Sequence, residues 1–346
     1  MPASPFRLER VAIVMMSAIG DAVHVLPVVN AIKRHSPGSR ITWLLAPRPG
    51  ALVRGHSAVD EIIEFSPRDG LSAWRGIRRS LRSREFDVVL DLQVALKAGL
   101  LTSLVNAPVK VGFDRRRARD LNWIFTNHRI PPHPNQHVQD QYFEFLEALG
   151  VPHEPVTWNL GPWPHEAEAR RVFVATLPRP TVTLVLATSN PHKDWIPERW
   201  AELVDVLYEK FGLRAVLAGG RSARELAVQE TVMRLARHTP HTTLGVPLRE
   251  LVWLIDASEL VISPDTGPLH MAVALDTPVI GLMGYNNPKR IGPYRKYRDL
   301  MLDAYGDPGE NYPISPEHRE GRMARIQVAD VVDRVRLWQA RYAEAR

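Results

Sequence analysis

The chain has 346 residues, 45% of them hydrophobic, which is long enough to fold as two domains with separate cores. It contains no cysteine, which excludes disulfides, thiolate zinc sites and cysteine nucleophiles and fits a reducing cytoplasm. The net charge of +6 favours an anionic partner, and without a signal-peptide core or a membrane-length apolar run the sequence predicts a soluble protein.

The first half of the chain alternates short apolar strands with helices. Val11 to Met16 predicts a buried strand, and Ser17 to Asp21 breaks it before a helix that continues to about His35. Gly20 permits a tight turn, and Asp21 either caps or opens the helix. Further strands are predicted at residues 41–45, 61–65 and 88–92. This βαβ pattern is typical of a doubly wound parallel sheet.

Two arginine clusters lie in this half. The first is on a predicted amphipathic helix and comprises Arg75, Arg78, Arg79 and Arg82. The second follows a predicted strand that ends at Gly112, and it comprises Arg115, Arg116, Arg117 and Arg119. Each cluster is either a solvated face without a ligand or a site for phosphates or anionic headgroups.

A proline-rich region between residues 131 and 180 interrupts a single predicted helix at 139–149, and we expect the interdomain linker at the end of this region. The predicted domains are residues 1–160 and 161–325. A last helix at 328–345, within the segment 326–346, is expected to pack back on the first domain.

The second half repeats the strand and helix pattern. One helix is predicted from Pro197, and another, which contains Glu225, follows the pair Gly219 and Gly220. Strands are predicted at residues 182–186, 215–217, 260–262 and 279–283. Two similar halves predict a cleft between two sets of strand ends.

The turn after the strand at 260–262 has the clearest functional signal. Asp265 and Thr266 can cap a helix, Gly267 permits close approach to the backbone, and Pro268 suits a first helical turn. Because the N-terminus of a helix stabilises anions, this turn predicts a phosphate site. His270 lies one turn further and could reach the same ligand. The alternative is that Asp265 and Thr266 only cap the helix and His270 packs.

Four separated motifs lie along the chain: Ser17 to Pro27, Thr188 to Trp200, Ala218 to Glu225, and Asp265 to His270. Together they resemble the lipopolysaccharide heptosyltransferases, glycosyltransferase family 9. The resemblance implies the GT-B fold, an α/β architecture of two Rossmann-like doubly wound parallel-sheet domains that face each other across a cleft. The first domain would bind the acceptor, and the second would bind the nucleotide sugar.

The resemblance also implies roles for particular residues. Asp21 would be the general base, and a helix N-terminus favours such a carboxylate, although simple capping is the alternative. The acceptor-binding residues would be Gly20, His24, Arg115, Arg116, Arg117 and Arg119, with structural packing as the alternative for His24. The donor-binding residues would be Thr188, Ser189, Lys193, Gly219, Gly220, Glu225, Asp265, Thr266, Gly267 and His270. Lys193 and Glu225 could instead be solvated surface residues.

The implied reaction is inverting transfer of heptose from ADP-heptose to a lipopolysaccharide core acceptor, either Kdo or an inner heptose. Lys193 and the amides of Thr266 and Gly267 would take up the negative charge of the departing ADP. No Asp-x-Asp run is placed like a metal site, and therefore neither a metal nor another cofactor is expected. A lipid-anchored acceptor suggests a cytoplasmic enzyme in reversible contact with the inner membrane.

Other functions stay open at the level of sequence. The main alternatives are a transferase that uses another nucleotide sugar and a noncatalytic nucleotide-sugar-binding protein, although the latter would be expected to lose Asp21. An epimerase needs a different set of carboxylates, and Ser17 to Asp21 lacks the G-x-G-x-x-G spacing of a dehydrogenase. Nucleic-acid binding is disfavoured because few aromatic residues accompany the arginines. The polar segments Tyr285 to Tyr294 and Asp303 to Arg322 align to no family pattern.

Overall fold

The structure is a computed structural model that describes residues 4–343. It contains two compact units. The first comprises the described residues up to Pro134 together with Val138–Asn159, and the second comprises Asn135–His137 and the described residues from Leu160 onwards. The chain therefore enters the second unit for good after Asn159, next to the boundary predicted at residue 160.

The first unit is built on a six-stranded parallel sheet. Its strands are β1 (Arg10–Val14), β2 (Arg40–Leu45), β3 (Glu61–Glu64), β4 (Val88–Asp91), β5 (Val109–Gly112) and β6 (His128–Arg129). Its helices are α1 (Ile19–His35), α2 (Pro47–Val53), α3 (Gly70–Leu81), α4 (Leu96–Leu104) and α5 (Val138–Ala148). The strand order is β3-β2-β1-β4-β5-β6, and Ile13 of β1 pairs with Trp43 of β2 and Leu90 of β4.

Helices α3 and α4 cover one face of this sheet. Ile77 of α3 and Leu101 of α4 share a buried cluster with Ala12 and Val14 of β1. The predicted amphipathic character of α3 is confirmed, because Ile77 and Leu81 are buried and Trp74 packs partly buried against the same cluster. The opposite side of α3, which carries the first arginine cluster, is exposed.

The second unit contains another six-stranded parallel sheet. Its strands are β7 (Thr181–Val185), β8 (Arg214–Ala218), β9 (His241–Thr242), β10 (Leu260–Pro264), β11 (Val279–Met283) and β12 (Leu302–Asp303). Its helices are α6 (Ala167–Val174), α7 (Pro197–Phe211), α8 (Ala223–Leu235), α9 (Leu248–Ala257), α10 (Gly267–Ala274), α11 (Pro288–Ile291) and α12 (Val328–Arg341). The strand order is β12-β11-β10-β7-β8-β9. In each sheet the first and fourth strands along the chain are neighbours, and the direction in which strands are added to the sheet reverses between them.

The last helix, α12, belongs to the core of the second unit. Val331 and Val335 are fully buried in one cluster with Trp200 and Leu203 of α7. Just before the helix, Ile326 O accepts a hydrogen bond of 2.9 Å from the indole of Trp195. Helix α12 is therefore part of the second unit. That it also packs back on the first domain stays a prediction, and its predicted end at residue 345 lies outside the described residues.

Between residues 4 and 343, no helix combines the length and the apolar character that a membrane span needs.

Candidate functional site

The clearest polar cluster lies at the carboxyl ends of β10, β7 and β11. Asp265 directly follows β10 and is only 6% exposed. Lys193 Nζ lies 2.7 Å from Asp265 Oδ2, and Asn286 Nδ2 donates to the same oxygen at 2.6 Å. His270 Nε2 lies 3.8 Å from Asp265 Oδ1. Since β7 and β10 flank the point where the strand order reverses, this cluster occupies the usual ligand position of a doubly wound sheet.

Helix α10 begins beside this cluster. Gly267 is its first residue and Pro268 its second, as the sequence predicted. The capping prediction was wrong, however, because the side chain of Thr266 makes no capping hydrogen bond and the Asp265 carboxylate accepts from Lys193 and Asn286 instead. The N-terminus of the helix still carries the positive end of the helix dipole and lies next to a lysine, which is a favourable place for an anion.

The loop after β7 is closed by its own hydrogen bonds. The Thr188 hydroxyl donates to Asn190 O at 2.7 Å, and Thr188 N donates to Asp194 Oδ1 at 2.7 Å. Arg224 Nε lies 2.8 Å from Asp194 Oδ2, and burial raises the pKa of Asp194 against the opposing effect of these partners. Ser189 is exposed at the tip of the loop. Thr188 therefore fixes the loop that places Lys193.

The two glycines after β8 make room for a carboxylate. Glu225 accepts hydrogen bonds from Gly220 N at 2.6 Å and from Ser222 N at 2.9 Å, which closes the turn before α8. A Cβ atom on Gly220 would lie only 2.8 Å from Glu225 Oε2. Glu225 thus caps its own helix, and its predicted contact with the ribose or base of a nucleotide stays a prediction.

In the first unit, Asp21 lies in the first turn of α1, after the carboxyl end of β1. Its Oδ2 atom accepts a hydrogen bond from Ala18 N at 2.7 Å, and its Oδ1 atom accepts one from the Tyr142 hydroxyl at 3.2 Å. Asp21 therefore does stabilise the start of the helix, as the capping alternative held. Tyr142, on α5, adds an orienting contact that the sequence did not reveal.

A glutamine after β4 fixes the loop before Asp21. Gln93 Oε1 accepts from Met16 N at 2.9 Å, and Gln93 Nε2 donates to Ser17 O at 2.7 Å. The loops after β1 and β4, which flank the reversal of strand order in the first sheet, are thus joined directly. This link holds the backbone that leads into Asp21.

A buried carboxyl group lies next to this link. Asp91, the last residue of β4, has no exposed surface. Burial raises its pKa to about 7, although hydrogen bonds from Asn122 Nδ2 at 3.1 Å and from Gln93 N at 3.3 Å act in the opposite direction. Asp91 is therefore a group that titrates near neutral pH inside the first sheet.

The predicted acceptor residues divide into buried and exposed positions. His24 is 4% exposed and its Nδ1 atom lies 3.0 Å from Gln139 Oε1, which favours the structural alternative for this histidine. The Arg117 guanidinium is inserted between Asp114 and Glu144, at 2.5 and 2.7 Å. Gly20 is half-buried beside Asp21. The exposed members of the cluster are Arg115, Arg116 and Arg119.

Comparison with known proteins places the chain in a family. The sequence model of glycosyltransferase family 9 (heptosyltransferase) matches residues 74–308. The chain belongs to this family. Two relatives are the lipopolysaccharide core heptosyltransferase OpsX of Haemophilus influenzae, 29% identical over 97% of this chain and 99% of that protein, and lipopolysaccharide heptosyltransferase 1 of Escherichia coli K12, 28% identical over 83% and 91%.

Solved structures share the fold of this family 9 chain. A family 9 glycosyl transferase from Veillonella parvula matches with a TM-score of 0.81 and 20% identity, over 97% of this chain and 98% of that one. Escherichia coli heptosyltransferase WaaC with ADP matches with a TM-score of 0.76 and 24% identity, over 95% and 99%. The predicted fold class, the family and the assignment as a glycosyltransferase are confirmed.

Two contacts of the family 9 site residues could not have been found from local sequence. Asn286 follows β11 by three residues, and only the pairing of β11 with β10 brings it to Asp265. Tyr142 lies in a helix that carried no functional signal. For Asn286 a signal did exist, since polar residues after neighbouring parallel strands meet at one sheet edge.

Residues 4–343 contain no group of three or more His, Asp or Glu side chains that could hold a metal ion.

Proposed function

We propose that this family 9 protein is an inverting glycosyltransferase that transfers heptose from ADP-heptose to a lipopolysaccharide core acceptor. The proposal is supported by the names of its relatives, since OpsX is a lipopolysaccharide core heptosyltransferase. It is also supported by solved structures of Escherichia coli WaaC with ADP and with ADP-2-deoxy-2-fluoro heptose. The structural observation that carries it is the cluster of Lys193, Asp265 and His270 at the start of α10.

The donor diphosphate would lie against Lys193 and the first turn of α10. Lys193 is 20% exposed, so its charge acts in a medium less polar than water and is screened less than a surface lysine. The ammonium group and the backbone at Thr266 and Gly267 would stabilise the charge that develops on the departing ADP. The proposal therefore requires neither a metal ion nor an organic cofactor. Thr188 and Ser189, in the loop after β7, would contact the diphosphate.

Asp21 would act as the general base. Its hydrogen bonds with Ala18 N and the Tyr142 hydroxyl fix the plane of the carboxylate. The acceptor oxygen forms a bond to the anomeric carbon on the face opposite ADP, and its proton passes to Asp21. The bond from the anomeric carbon to the phosphate oxygen breaks at the same time, and its electron pair leaves with ADP. A single displacement of this kind inverts the anomeric carbon.

The acceptor would be Kdo or an inner heptose of a lipid-linked saccharide. Its carboxylates and phosphates would meet the exposed members of the second cluster, which are Arg115, Arg116 and Arg119. Arg117 is excluded from this role by its two carboxylate partners. With a lipid-linked acceptor of this kind, the enzyme would work at the cytoplasmic face of the inner membrane.

Calorimetric titration with ADP, UDP and GDP, without divalent metal, tests the donor half of the proposal. We expect ADP to bind most tightly, and Lys193→Met to weaken ADP binding by about 10- to 100-fold through loss of a charge-assisted contact. Lys296→Met is the matched control, because Lys296 also pairs with an aspartate but is 40% exposed and lies elsewhere. Tighter binding of UDP or GDP would rule out ADP-heptose as the donor.

Turnover of ADP-heptose with a Kdo-lipid acceptor tests the base. Asp21→Asn keeps the size of the side chain but cannot take up a proton, so we expect kcat to fall by about 100- to 10,000-fold while ADP affinity is unchanged. Unchanged kcat in this variant would refute Asp21 as the base. Tight ADP-heptose binding without any turnover by the wild-type enzyme would favour a noncatalytic binding protein.

A further inference from the structure

We propose that the first unit binds an anionic lipid bilayer through one defined face, which we name the docking face. It consists of a set of exposed apolar side chains and a row of unpaired arginines on the elements that cover the α3 and α4 side of the sheet. Its apolar members are Leu71, Leu96, Leu100, Leu121 and Ile124. Its arginines are Arg75, Arg78, Arg79 and Arg82. That this binding brings the enzyme to a lipid-linked acceptor rests on the proposed function, whereas the binding itself is inferred from the surface alone.

The apolar side chains are concentrated on one face. Within residues 4–343, the large hydrophobic side chains that are exposed in the first unit all belong to α3, α4 or the turn before β6, with exposed fractions of 73% for Leu71, 60% for Leu121 and 52% for Ile124. Leu96 and Leu100 are 39% and 38% exposed. Helix α1 packs against α2 and against α5, and the described residues of these three helices contribute none. A concentration of this kind marks an interaction surface.

Helix α4 and the 3₁₀ turn Asn122–Phe125 form a continuous part of this face. Asn122 Nδ2 donates to Ala95 O at 3.0 Å, directly before the first residue of α4. A Cβ atom on Gly99 would lie 2.4 Å from the ring of Phe125, so only a glycine lets the turn approach α4 this closely. The turn therefore lies directly on α4.

The apolar side chains on this part of the face point outward together. Leu96 and Leu100 are four residues apart and share one side of α4. Beside them, Leu121 has a φ of +61°, in the left-handed region that a residue with a Cβ atom rarely adopts. This unusual backbone leads into a turn that leaves Leu121 and Ile124 more than half exposed.

The arginine row gives the face its charge. Arg75, Arg78 and Arg82 follow the helical repeat along α3 and its end, and Arg79 lies beside them. All four are exposed, and within the described part of the chain none forms an ion pair or a side-chain hydrogen bond. By contrast, some other arginines of the first unit have carboxylate partners, for example Arg10 at 3.3 Å and Arg117 at 2.5 Å. Unpaired basic residues keep their full charge for an external anion.

A bilayer fits this combination better than a protein or a nucleic acid does. Leucine and isoleucine side chains can enter the boundary between headgroups and acyl chains while arginines contact anionic headgroups. A second copy of the chain that docked symmetrically would bring two arginine rows into one interface, where the like charges would repel. Single-stranded nucleic acid would use stacking aromatic side chains rather than exposed leucines.

Co-sedimentation with vesicles tests the docking face. We expect the wild-type protein to bind phosphatidylcholine vesicles that contain a third of phosphatidylglycerol, to bind pure phosphatidylcholine weakly, and to lose affinity as salt is added. Each basic residue contributes roughly fivefold to binding of an anionic surface, so the triple variant Arg75→Gln, Arg78→Gln, Arg79→Gln should bind roughly 100-fold more weakly. The double variant Leu121→Ser, Ile124→Ser should also bind more weakly, with less effect on the salt dependence.

The matched control lies on α8 of the second unit. Arg234→Gln with Leu235→Ser removes an exposed arginine and a leucine that is 44% exposed, and it should leave vesicle binding unchanged. Equal binding to both vesicle types, no binding by wild type, or an equal loss in the control would overturn the proposal. So would a concentration-dependent dimer that the docking-face variants dissolve, since the face would then bind a second copy.

Two further measurements separate this proposal from the proposed function. Thermal unfolding by circular dichroism and the affinity for ADP should be the same in wild type and in both docking-face variants, because the substituted residues are exposed in the first unit. If the wild-type protein failed to bind vesicles but still selected ADP, the docking face would be refuted and the proposed donor would be unaffected. Failure of ADP selectivity with vesicle binding intact would refute the heptose donor and leave the docking face standing.

Discussion

Replacing Asp91 with asparagine should change how the stability of the first unit depends on pH. Asp91 has no exposed surface, and burial raises its pKa from 3.8 to about 7. An unfolded chain would ionise this carboxyl near its ordinary pKa, whereas the folded protein keeps it protonated until neutral pH. The folded state therefore binds a proton that the unfolded state releases, and the stability this gives is lost as pH rises.

The size of the effect follows from the pKa difference. Each pH unit between the two pKa values lowers the free energy of unfolding of the wild-type protein by about 1.4 kcal/mol, relative to a variant without the carboxyl. Between about pH 5 and pH 7 the loss is roughly 2 kcal/mol, or roughly a 50-fold change in the opening equilibrium, because the carboxyl is already half ionised at the folded-state pKa. Above the folded-state pKa both states are ionised, and the difference becomes constant.

Hydrogen exchange of peptides from β4 is the suitable assay, because a chain with two units need not unfold in a single step. Wild type and Asp91→Asn are compared at the same pH, so the pH dependence of the intrinsic exchange rate cancels. Protection of β4 in wild type should fall roughly 50-fold relative to the variant from pH 5 to pH 7, and then level off above about pH 8.

Asp114→Asn is the control for this assay. Hydrogen bonds and charge from Arg117 and nearby backbone outweigh desolvation and lower the pKa of Asp114, so its contribution to stability is lost only below the ordinary range of an aspartate. This variant should differ from wild type by a constant amount between pH 5 and pH 8. A constant difference for Asp91→Asn as well would show that Asp91 ionises normally in the folded protein and would refute the argument.

Two further substitutions separate structural from catalytic roles. Tyr142→Phe removes the hydroxyl that donates to Asp21. We expect kcat, measured by steady-state kinetics, to fall about 3- to 10-fold, while the ADP affinity measured by calorimetry is unchanged. An unchanged kcat would exclude an orienting role for Tyr142. Arg117→Gln leaves two carboxylates, each 7% exposed, without their cation. It should lower the free energy of unfolding of the first unit by about 2–4 kcal/mol in hydrogen exchange, whereas Arg116→Gln, at an exposed site, should change it little.

The parts of the fold that were predictable from sequence are those set by local physics. Short apolar runs indicated β1, β7, β10 and β11, because strands of a parallel sheet are buried on both faces. Proline in a first turn correctly placed the starts of α7 and α10, since it fixes the backbone where no N–H bond is needed. Repetition of the same pattern in both halves indicated two similar sheets.

The contacts that could not be predicted depend on long-range packing. The apolar side of α12 showed that the helix would be buried, but amphipathicity does not identify the neighbours, and only the fold places Val331 in the core of the second unit. Arg117 was indistinguishable in sequence from Arg116, because only the fold brings Glu144 within reach of it. Asn286 likewise reaches Asp265 only through the pairing of two strands.

The ion pair of Lys193 with Asp265 has a consequence for product release. If Lys193 meets the diphosphate as proposed, Asp265 competes with that diphosphate from a fixed position 2.7 Å away, at a constant effective concentration. When ADP departs, the Lys193 ammonium group pairs again with the Asp265 carboxylate, so it does not stay unpaired in a half-buried site. This internal competitor weakens retention of the spent nucleotide, and release of product limits turnover in many enzymes. A residue that holds the donor site together would thus also help to empty it.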